Sequence, residues 1–306
     1  MKIAMMGAGG VGGYYGVRLA QAGHDVVFVA RGAHAEALRR DGLQVESERG
    51  AAHLQPVNAV ADPRQVGEVD LVVIAVKLWD TEAAARAILP MVGAATAVMS
   101  LQNGVDKDDV IAGIAGREHL LGGLTYINVV ASAPGVITQT GTLQRIVLGE
   151  LDGSRSARAE AAGAAFRSAG IDAEVTTDIR RAIWEKFIFL AAHSVTTAAT
   201  RQPVGKVRGH PATRAILQDA LGEGVALARA EGIEVADDFV AGRMAFIDAM
   251  PAEARASMAQ DLARGNRLEL DWLSGAIVRR AERHGLATPV HRTLYAALAL
   301  YANGAP

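Results

Sequence analysis

The chain has no cysteine in 306 residues. Disulfide cross-links, thiolate catalysis and cysteine-ligated metal centres are therefore excluded. Neither sign of charge is in excess: 31 Lys and Arg stand against 33 Asp and Glu, a formal net charge of −2. No long basic run occurs, so a nucleic-acid partner has no support. The apolar stretches are too short or too interrupted to span a membrane. Internal repeats, low-complexity tracts and flexible linkers are also missing. One lysine and a short apolar run open the chain, but the glycines that follow serve a better-supported purpose than a signal peptide. The expectation is a soluble cytoplasmic protein with no nucleic-acid, membrane or metal partner. Half of the residues are hydrophobic, enough for a sizeable core, and the length suits one large or two modest domains.

What is present begins at once. Lys2-Ile3-Ala4-Met5-Met6 is an apolar run of single-strand length, followed by Gly7-Ala8-Gly9-Gly10-Val11-Gly12, which fits GxGxxG. A helical stretch is expected from Tyr14 to Gly23. Each glycine has a physical task in a dinucleotide site. Gly7 permits the strand-to-helix turn, Gly9 lets a pyrophosphate approach the backbone, and Gly12 allows helix and strand to pack closely. The helix N-terminus then offers N–H groups and a positive dipole end to phosphate. GxGxxG alone is weak among 33 glycines; the strand before it and the helix after it make the motif specific.

The second apolar run, Val26 to Ala30, ends at Arg31. In NAD-binding versions of this unit an acidic residue about 20 residues beyond the loop binds the ribose 2′-hydroxyl. No carboxylate stands at this tip. A guanidinium there suits a 2′-phosphate, so NADPH is favoured over NADH, and the missing acid argues against an ordinary surface arginine.

The first half alternates strands and helices. A helix is expected over 31–40, a polar-broken β stretch over 42–58, and a buried strand over 71–76 ending at Lys77. A helix over 80–89 and a strand over 95–101 follow, the latter leading to Gln102-Asn103-Gly104. A helix over 106–115, strands over 120–130 and 135–149, a helix over 154–170 and a strand over 171–175 complete the pattern. Such alternation predicts an α/β fold with a doubly wound, mostly parallel sheet, whose ligands bind beyond the carboxyl ends of the strands. Gly7, Arg31, Lys77 and Asn103 all stand at such ends. After Thr176-Thr177-Asp178 only helical patterns remain: 179–200, 212–231, 236–249, one or two long helices over 252–284, and 289–302. The expected division is a Rossmann NADPH-binding domain over 1–176 and an all-α substrate and dimerisation domain over 177–306, with the cleft between them as the default substrate site. A homodimer through the helical domain would use Val225, Leu227, Phe239, Met244 and Phe246, although the same residues would equally pack within one bundle.

Two helical regions carry candidate chemistry. Lys186 borders the apolar run Phe187 to Ala192, and burial lowers a lysine pKa towards a range useful for proton donation. A lysine whose stem snorkels across a helix face fits the spacing equally well. Ser257 and Asp261 are four apart, and Glu269 lies two turns further on, near the same stripe if the helix is continuous. Spacing alone favours a solvated charged face here, with Arg264 and Arg267 as partners.

The whole chain resembles the ketopantoate reductase family. The matching residues are Gly7 to Gly12, Val76-Lys77, Gln102-Asn103-Gly104, Trp184-Glu185-Lys186, and Ser257-Met258-x-Gln260-Asp261 leading to Glu269-x-Asp271. The resemblance implies an NADPH-dependent reductase of 2-oxo acids, with a Rossmann domain followed by a helical domain. It implies that Lys186 is the proton donor and that Glu269 assists substrate binding. It also implies that Lys77 and Asn103 lie beside the nicotinamide and the substrate, and that Ser257 meets the substrate carboxylate. Family members usually carry asparagines four and eight residues after the lysine, facing the substrate, and one more before the glycine after Glu-x-Asp. Here Leu190, Ser194 and Ser274 take these places. Leu190 cannot hydrogen-bond a hydroxyl, and losing such a partner changes substrate choice. His193 adjoins this altered face, more readily as a packed or solvent-facing histidine than as a replacement polar contact.

The expected reaction is thus reduction of a 2-oxo acid to a 2-hydroxy acid, first of all ketopantoate to pantoate in pantothenate biosynthesis. The pyrophosphate would rest on Gly7, Ala8, Gly9, Gly10, Val11 and Gly12, and the 2′-phosphate on Arg31. Lys186 would protonate the forming alkoxide. The alternatives are a reductase of the same mechanism for another 2-oxo acid, and a non-catalytic NADPH-binding regulator, against which the retention of Lys186 and Glu269 argues.

Overall fold

A computed structural model describes residues 1–305. Its first half runs β1 (Lys2–Met6), α1 (Gly10–Gln21), β2 (Asp25–Val29), α2 (Gly32–Asp41), β3 (Leu43–Glu46), β4 (Ala52–Leu54) and β5 (Ala59–Val60). It continues with β6 (Leu71–Ile74), α3 (Thr81–Ala87), β7 (Ala97–Ser100), α4 (Asp106–Ala115), β8 (Leu120–Ala133), β9 (Val136–Glu150), α5 (Ala157–Ser168) and β10 (Asp172–Val175). All ten strands join one sheet in the order β4-β3-β9-β8-β7-β6-β1-β2-β5, with β10 beside β9. From β5 through β2, β1, β6 and β7 to β8 every pairing is parallel. That order is the doubly wound Rossmann arrangement, and its switch point lies at β1, with β2 on one side and β6 on the other.

Period-two burial explains the apolar runs. Ile3 and Met5 pack into one cluster with Phe28, Leu71 and Val73. Ala4 and Met6 pack into another with Val29, Val72, Ile74 and Val98. Helices cover both faces, so successive residues are all apolar rather than alternating.

The far side of the sheet departs from the simple alternation. The stretch 42–58 is an antiparallel pair, with Leu43 opposite Leu54. Its strand β3 crosses to lie parallel to β9. Strands β8 and β9 form a long antiparallel hairpin, irregular between Ile127 and Val129 and again between Ala131 and Ala133. Ser156 caps α5 by accepting the Ala159 N–H at 3.1 Å, one of the donors a helix start leaves open.

The second half is helical: α6 (Ile179–Thr200), α7 (Val204–Gly209), α8 (Pro211–Ala230), α9 (Phe239–Ala249), α10 (Ser257–Ala263), α11 (Ser274–Arg283) and α12 (Pro289–Ala299). By their contacts, residues Met1–Asn103 and Lys107–Ile179 form one compact unit, and Gly104–Asp106 with the chain from Arg180 onward the other. Within the second unit α6 is buried over most of its length. Helix α8 passes so close that a Cβ on Gly224 would stand 2.9 Å from Ile188 Cγ2. No helix among the described residues is long and apolar enough to cross a membrane.

Two expectations need correction. The first helix starts at Gly10 rather than Tyr14, because close packing on the sheet overrides the poor helix propensity of glycine. The stretch 252–284, expected to hold one or two long helices, holds two short ones, α10 and α11. It breaks after α10, where Gly265 adopts φ +69°. There the Asn266 N–H bonds the Asp261 carbonyl at 2.9 Å and the Gly265 N–H bonds that of Leu262 at 3.1 Å. This Schellman closure ends the helix, so Glu269 shares no helical stripe with Ser257 and Asp261.

Candidate active site

The glycine loop is set by sterics. Gly7 has φ +103°, a conformation that costs a side chain strain. A Cβ on Gly12 would stand 1.9 Å from the Gly7 carbonyl oxygen. That neighbour is backbone and cannot rotate aside, so no larger residue fits. A Cβ on Gly16 would come within 2.3 Å of Phe28 Cε1, which brings α1 down onto β2. A Cβ on Gly9, by contrast, would meet nothing within 4 Å. Helix α1 has no acidic residue in its first turn and no side-chain cap. Its leading N–H groups and positive dipole end therefore suit a phosphate. Ala8 is buried, whereas Gly9, Gly10 and Val11 are half-buried.

The other residues expected in this half stand on the same edge of the sheet. Arg31 is exposed and is the N-cap of α2, just beyond β2. The nearest acidic residue of that strand, Asp25, lies at its opposite end, opposite Lys2. Lys77 follows β6 on an exposed turn, its ammonium 5.6 Å from the Trp79 ring centre. Asn103 follows β7 and is half-buried.

Gln102 does more than its place in a motif suggested. Its buried side-chain amide donates to the Val76 carbonyl at 3.0 Å, the Lys77 carbonyl at 3.3 Å and Thr81 Oγ1 at 2.9 Å. Its carbonyl oxygen accepts from Ser100 Oγ at 2.9 Å. The turns carrying Lys77 and Asn103 are thereby tied together. Buried Lys107 adds a second tie, donating to Asp108 at 2.7 Å, to the Gly123 carbonyl at 3.2 Å and to the Ser100 carbonyl at 3.4 Å. No spacing rule marks such roles, because Gln102 reaches Val76, Lys77 and Thr81, and Lys107 reaches Gly123, across more than a dozen residues in each case.

In the second unit Lys186, Leu190 and Ser194 follow one another at four-residue spacing along α6, on one helix face. Lys186 and Leu190 are half-buried, and Ser194 is fully buried. Glu185 is held by Arg181 at 2.8 Å. The Ser194 hydroxyl and His193 Nε2 are buried without a hydrogen-bond partner among the described residues. His193 is a packed histidine, stacked on Phe189 with ring centres 5.5 Å apart and 11° between planes. Ser257 is exposed at the start of α10. Glu269 is half-buried and immediately precedes a short 3-10 turn, Leu270–Trp272. Nearby, Asp271 accepts from the Tyr295 hydroxyl at 2.7 Å. Ser274 is buried and bonds His291 Nδ1 at 2.9 Å, while His291 Nε2 bonds the Ala220 carbonyl at 3.1 Å. Ser274 therefore ties α11 to α12.

A parallel sheet in Rossmann order, with a glycine loop opening a helix at its switch point, places the chain among the dinucleotide-binding oxidoreductase folds. Comparison with known proteins narrows the class. The ketopantoate reductase PanE/ApbA profile matches residues 3–153, and its C-terminal counterpart matches residues 178–302. The chain belongs to the ketopantoate reductase family and is an oxidoreductase. It is 34% identical to the 2-dehydropantoate 2-reductase of Halobacterium salinarum, covering 96% of each chain. It is 31% identical to the uncharacterized oxidoreductase YkpB of Bacillus subtilis, over 98% of this chain and 99% of that one. The crystal structure of a PanE/ApbA family ketopantoate reductase from Ralstonia eutropha superposes with a TM-score of 0.90 at 35% identity, covering 99% of this chain and 98% of the other.

Burial pushes the imidazoles of both His193 and His291 down to about 4, because a charged ring is disfavoured away from water. Both are neutral at pH 7. The unfolded chain takes up these protons first, near the ordinary value of about 6.5, so stability is complete above that pH and falls as pH drops towards 4. Each histidine accounts for up to about 3 kcal/mol over that window. Urea unfolding followed from pH 7 to pH 4 is expected to show a shallower loss in His193→Leu than in the unsubstituted protein, by one proton. Parallel curves would remove His193 from the acid response.

Proposed function

We propose that this chain catalyses NADPH-dependent reduction of a 2-oxo acid to its 2-hydroxy acid, with ketopantoate to pantoate, a step of pantothenate biosynthesis, as the leading reaction. The observation that carries the reading is the convergence of the glycine loop, Arg31, Lys77 and Asn103 on one sheet edge, in a chain that matches the family over both halves. The open space at Gly9 and the uncapped start of α1 fit a pyrophosphate.

When bound, NADPH supplies a hydride to the C2 carbonyl carbon. Backbone N–H groups of the Gly7 to Gly12 loop hold the pyrophosphate, and the Arg31 guanidinium pairs with the 2′-phosphate. Lys77 and Asn103 stand on turns braced by Gln102 and orient the nicotinamide end and the substrate. Lys186, as an ammonium, stabilises negative charge on the carbonyl oxygen and donates its proton there. Glu269 and Ser257 bind the substrate, Ser257 at its carboxylate. A homodimer through the helical half is the proposed assembly; of the residues named for it Phe246 is exposed, whereas Val225, Leu227, Phe239 and Met244 are buried within the chain.

Leu190 and Ser194 favour a second reading on the same mechanism, in which the substrate is a more apolar or branched 2-oxo acid. An apolar side chain at 190 removes a partner for a substrate hydroxyl, and such a loss shifts selectivity strongly.

An assay of NADPH oxidation with ketopantoate beside a panel of 2-oxo acids is expected to give saturable turnover. Preference for ketopantoate supports the leading reaction, preference for an apolar member supports the second reading, and no turnover of any member overturns both. Lys186→Ala should lower turnover at least about a hundredfold, as loss of a general acid does, with NADPH affinity retained; unchanged turnover would remove Lys186 from its role. Arg31→Ala should weaken NADPH about tenfold or more while leaving NADH nearly unaffected. An unaltered preference between the two cofactors would refute the 2′-phosphate assignment.

A further inference from the structure

One histidine outside the fingerprint grips the candidate cofactor loop. His34 lies in the first turn of α2, half-buried. Its Nδ1 accepts the backbone N–H of Gly135 at 3.1 Å. In a neutral imidazole the proton then resides on Nε2, which donates to the Ala8 carbonyl oxygen at 2.7 Å. Ala8 belongs to the glycine loop, and Gly135 is the turn between β8 and β9, with φ +78°. A single side chain thus joins the loop, the helix that begins beside Arg31, and the tip of the long hairpin.

The hairpin also presses on the loop directly. A Cβ on Gly10 would stand 2.9 Å from the Val129 carbonyl oxygen, and one on Gly13 would stand 2.9 Å from Ile137 Cγ1. The loop is therefore seated between α2 and the hairpin, and His34 is the polar contact across that seat.

Peptide geometry turns this grip into an orientation. Among the described residues only the Gln55–Pro56 bond is cis, so the Ala8–Gly9 peptide is trans. The C=O and N–H of a trans peptide point to opposite sides of the chain. Holding the Ala8 carbonyl on the His34 side sends the Gly9 N–H the other way, at the residue whose Cβ position is open. We propose that His34 is a positioning residue of the cofactor site, which aims the Gly9 N–H at the pyrophosphate of a dinucleotide by holding the Ala8 carbonyl. The inference rests on the dinucleotide reading of the loop but not on the preference for NADPH or on the identity of the substrate.

The test uses the full chain and fluorescence titrations with NADPH and NADH, alongside thermal unfolding. His34→Phe keeps a ring of similar size and loses both hydrogen bonds. It should weaken both cofactors by the same factor, about tenfold, because the pyrophosphate is common to them. His34→Gln places an amide N–H near the position of Nε2 and should recover most of the affinity. His34→Asn reaches only the Gly135 side and should not. A folded His34→Phe protein with unchanged affinity for both cofactors would overturn the proposal, as would a loss confined to NADPH, which would assign His34 to the 2′-phosphate instead. Where the phenylalanine variant fails to fold, equal affinities in the glutamine and asparagine variants overturn it. Failure of the unsubstituted protein to bind either dinucleotide would refute the reading of the loop itself and the proposal with it.

Discussion

The first unit depends on one contact between backbones. Helix α1 crosses the end of β1 so closely that the carbonyl oxygen of Gly7 occupies the space a methyl group on Gly12 would need. One turn further on, Gly16 brings the same helix onto the Phe28 ring of β2. This approach places the start of α1 at the switch point of the sheet, where β1 has a parallel neighbour on each side. Peptide N–H groups, rather than side chains, line that position. A phosphate is recognised well by such groups because they are fixed before the ligand arrives and lose little entropy on binding.

The loops around this point are held rather than left to wander. Gln102 spans the turns after β6 and β7, and buried Lys107 ties the start of α4 to β7 and β8. Both side chains find several partners away from water, where an unmade hydrogen bond is costly and a made one is strong. The turns that carry Lys77 and Asn103 are therefore held by side chains of the same unit. That arrangement suits chemistry in which two reacting atoms must be brought to a fixed separation.

Helix α6 makes a different compromise. Most of it is buried, yet it carries a serine hydroxyl and an imidazole nitrogen with no partner among the described residues. The imidazole responds by staying neutral and stacking on Phe189. Thr196, Thr197 and Thr200 satisfy their hydroxyls on carbonyls one turn back, so the helix can supply such bonds. Ser194 makes none and carries the desolvation cost of an unpaired hydroxyl. It stands on the face that begins with Lys186 and continues through Leu190.

The amino-acid sequence by itself determined the buried parallel strands, the glycine loop and the change to an all-helical second half. Those features are written locally: an apolar run covered on both faces, a fingerprint of six residues, and a switch of period. It also placed Gly7, Arg31, Lys77 and Asn103 at strand ends, because parallel connections leave no other edge for them. Tertiary structure alone decided the crossing of β3 to the side of β9, the seating of the hairpin against the loop, and the roles of Gln102 and His34. Each of these depends on partners remote along the chain: His34 meets Gly135 across 101 residues, and no local period encodes such a meeting. The break at Gly265 lies between these cases. Its glycine was visible in the sequence, but glycines occur at many positions where a helix continues. Only the closing hydrogen bonds to Asp261 and Leu262 separated Glu269 from the stripe that spacing had suggested.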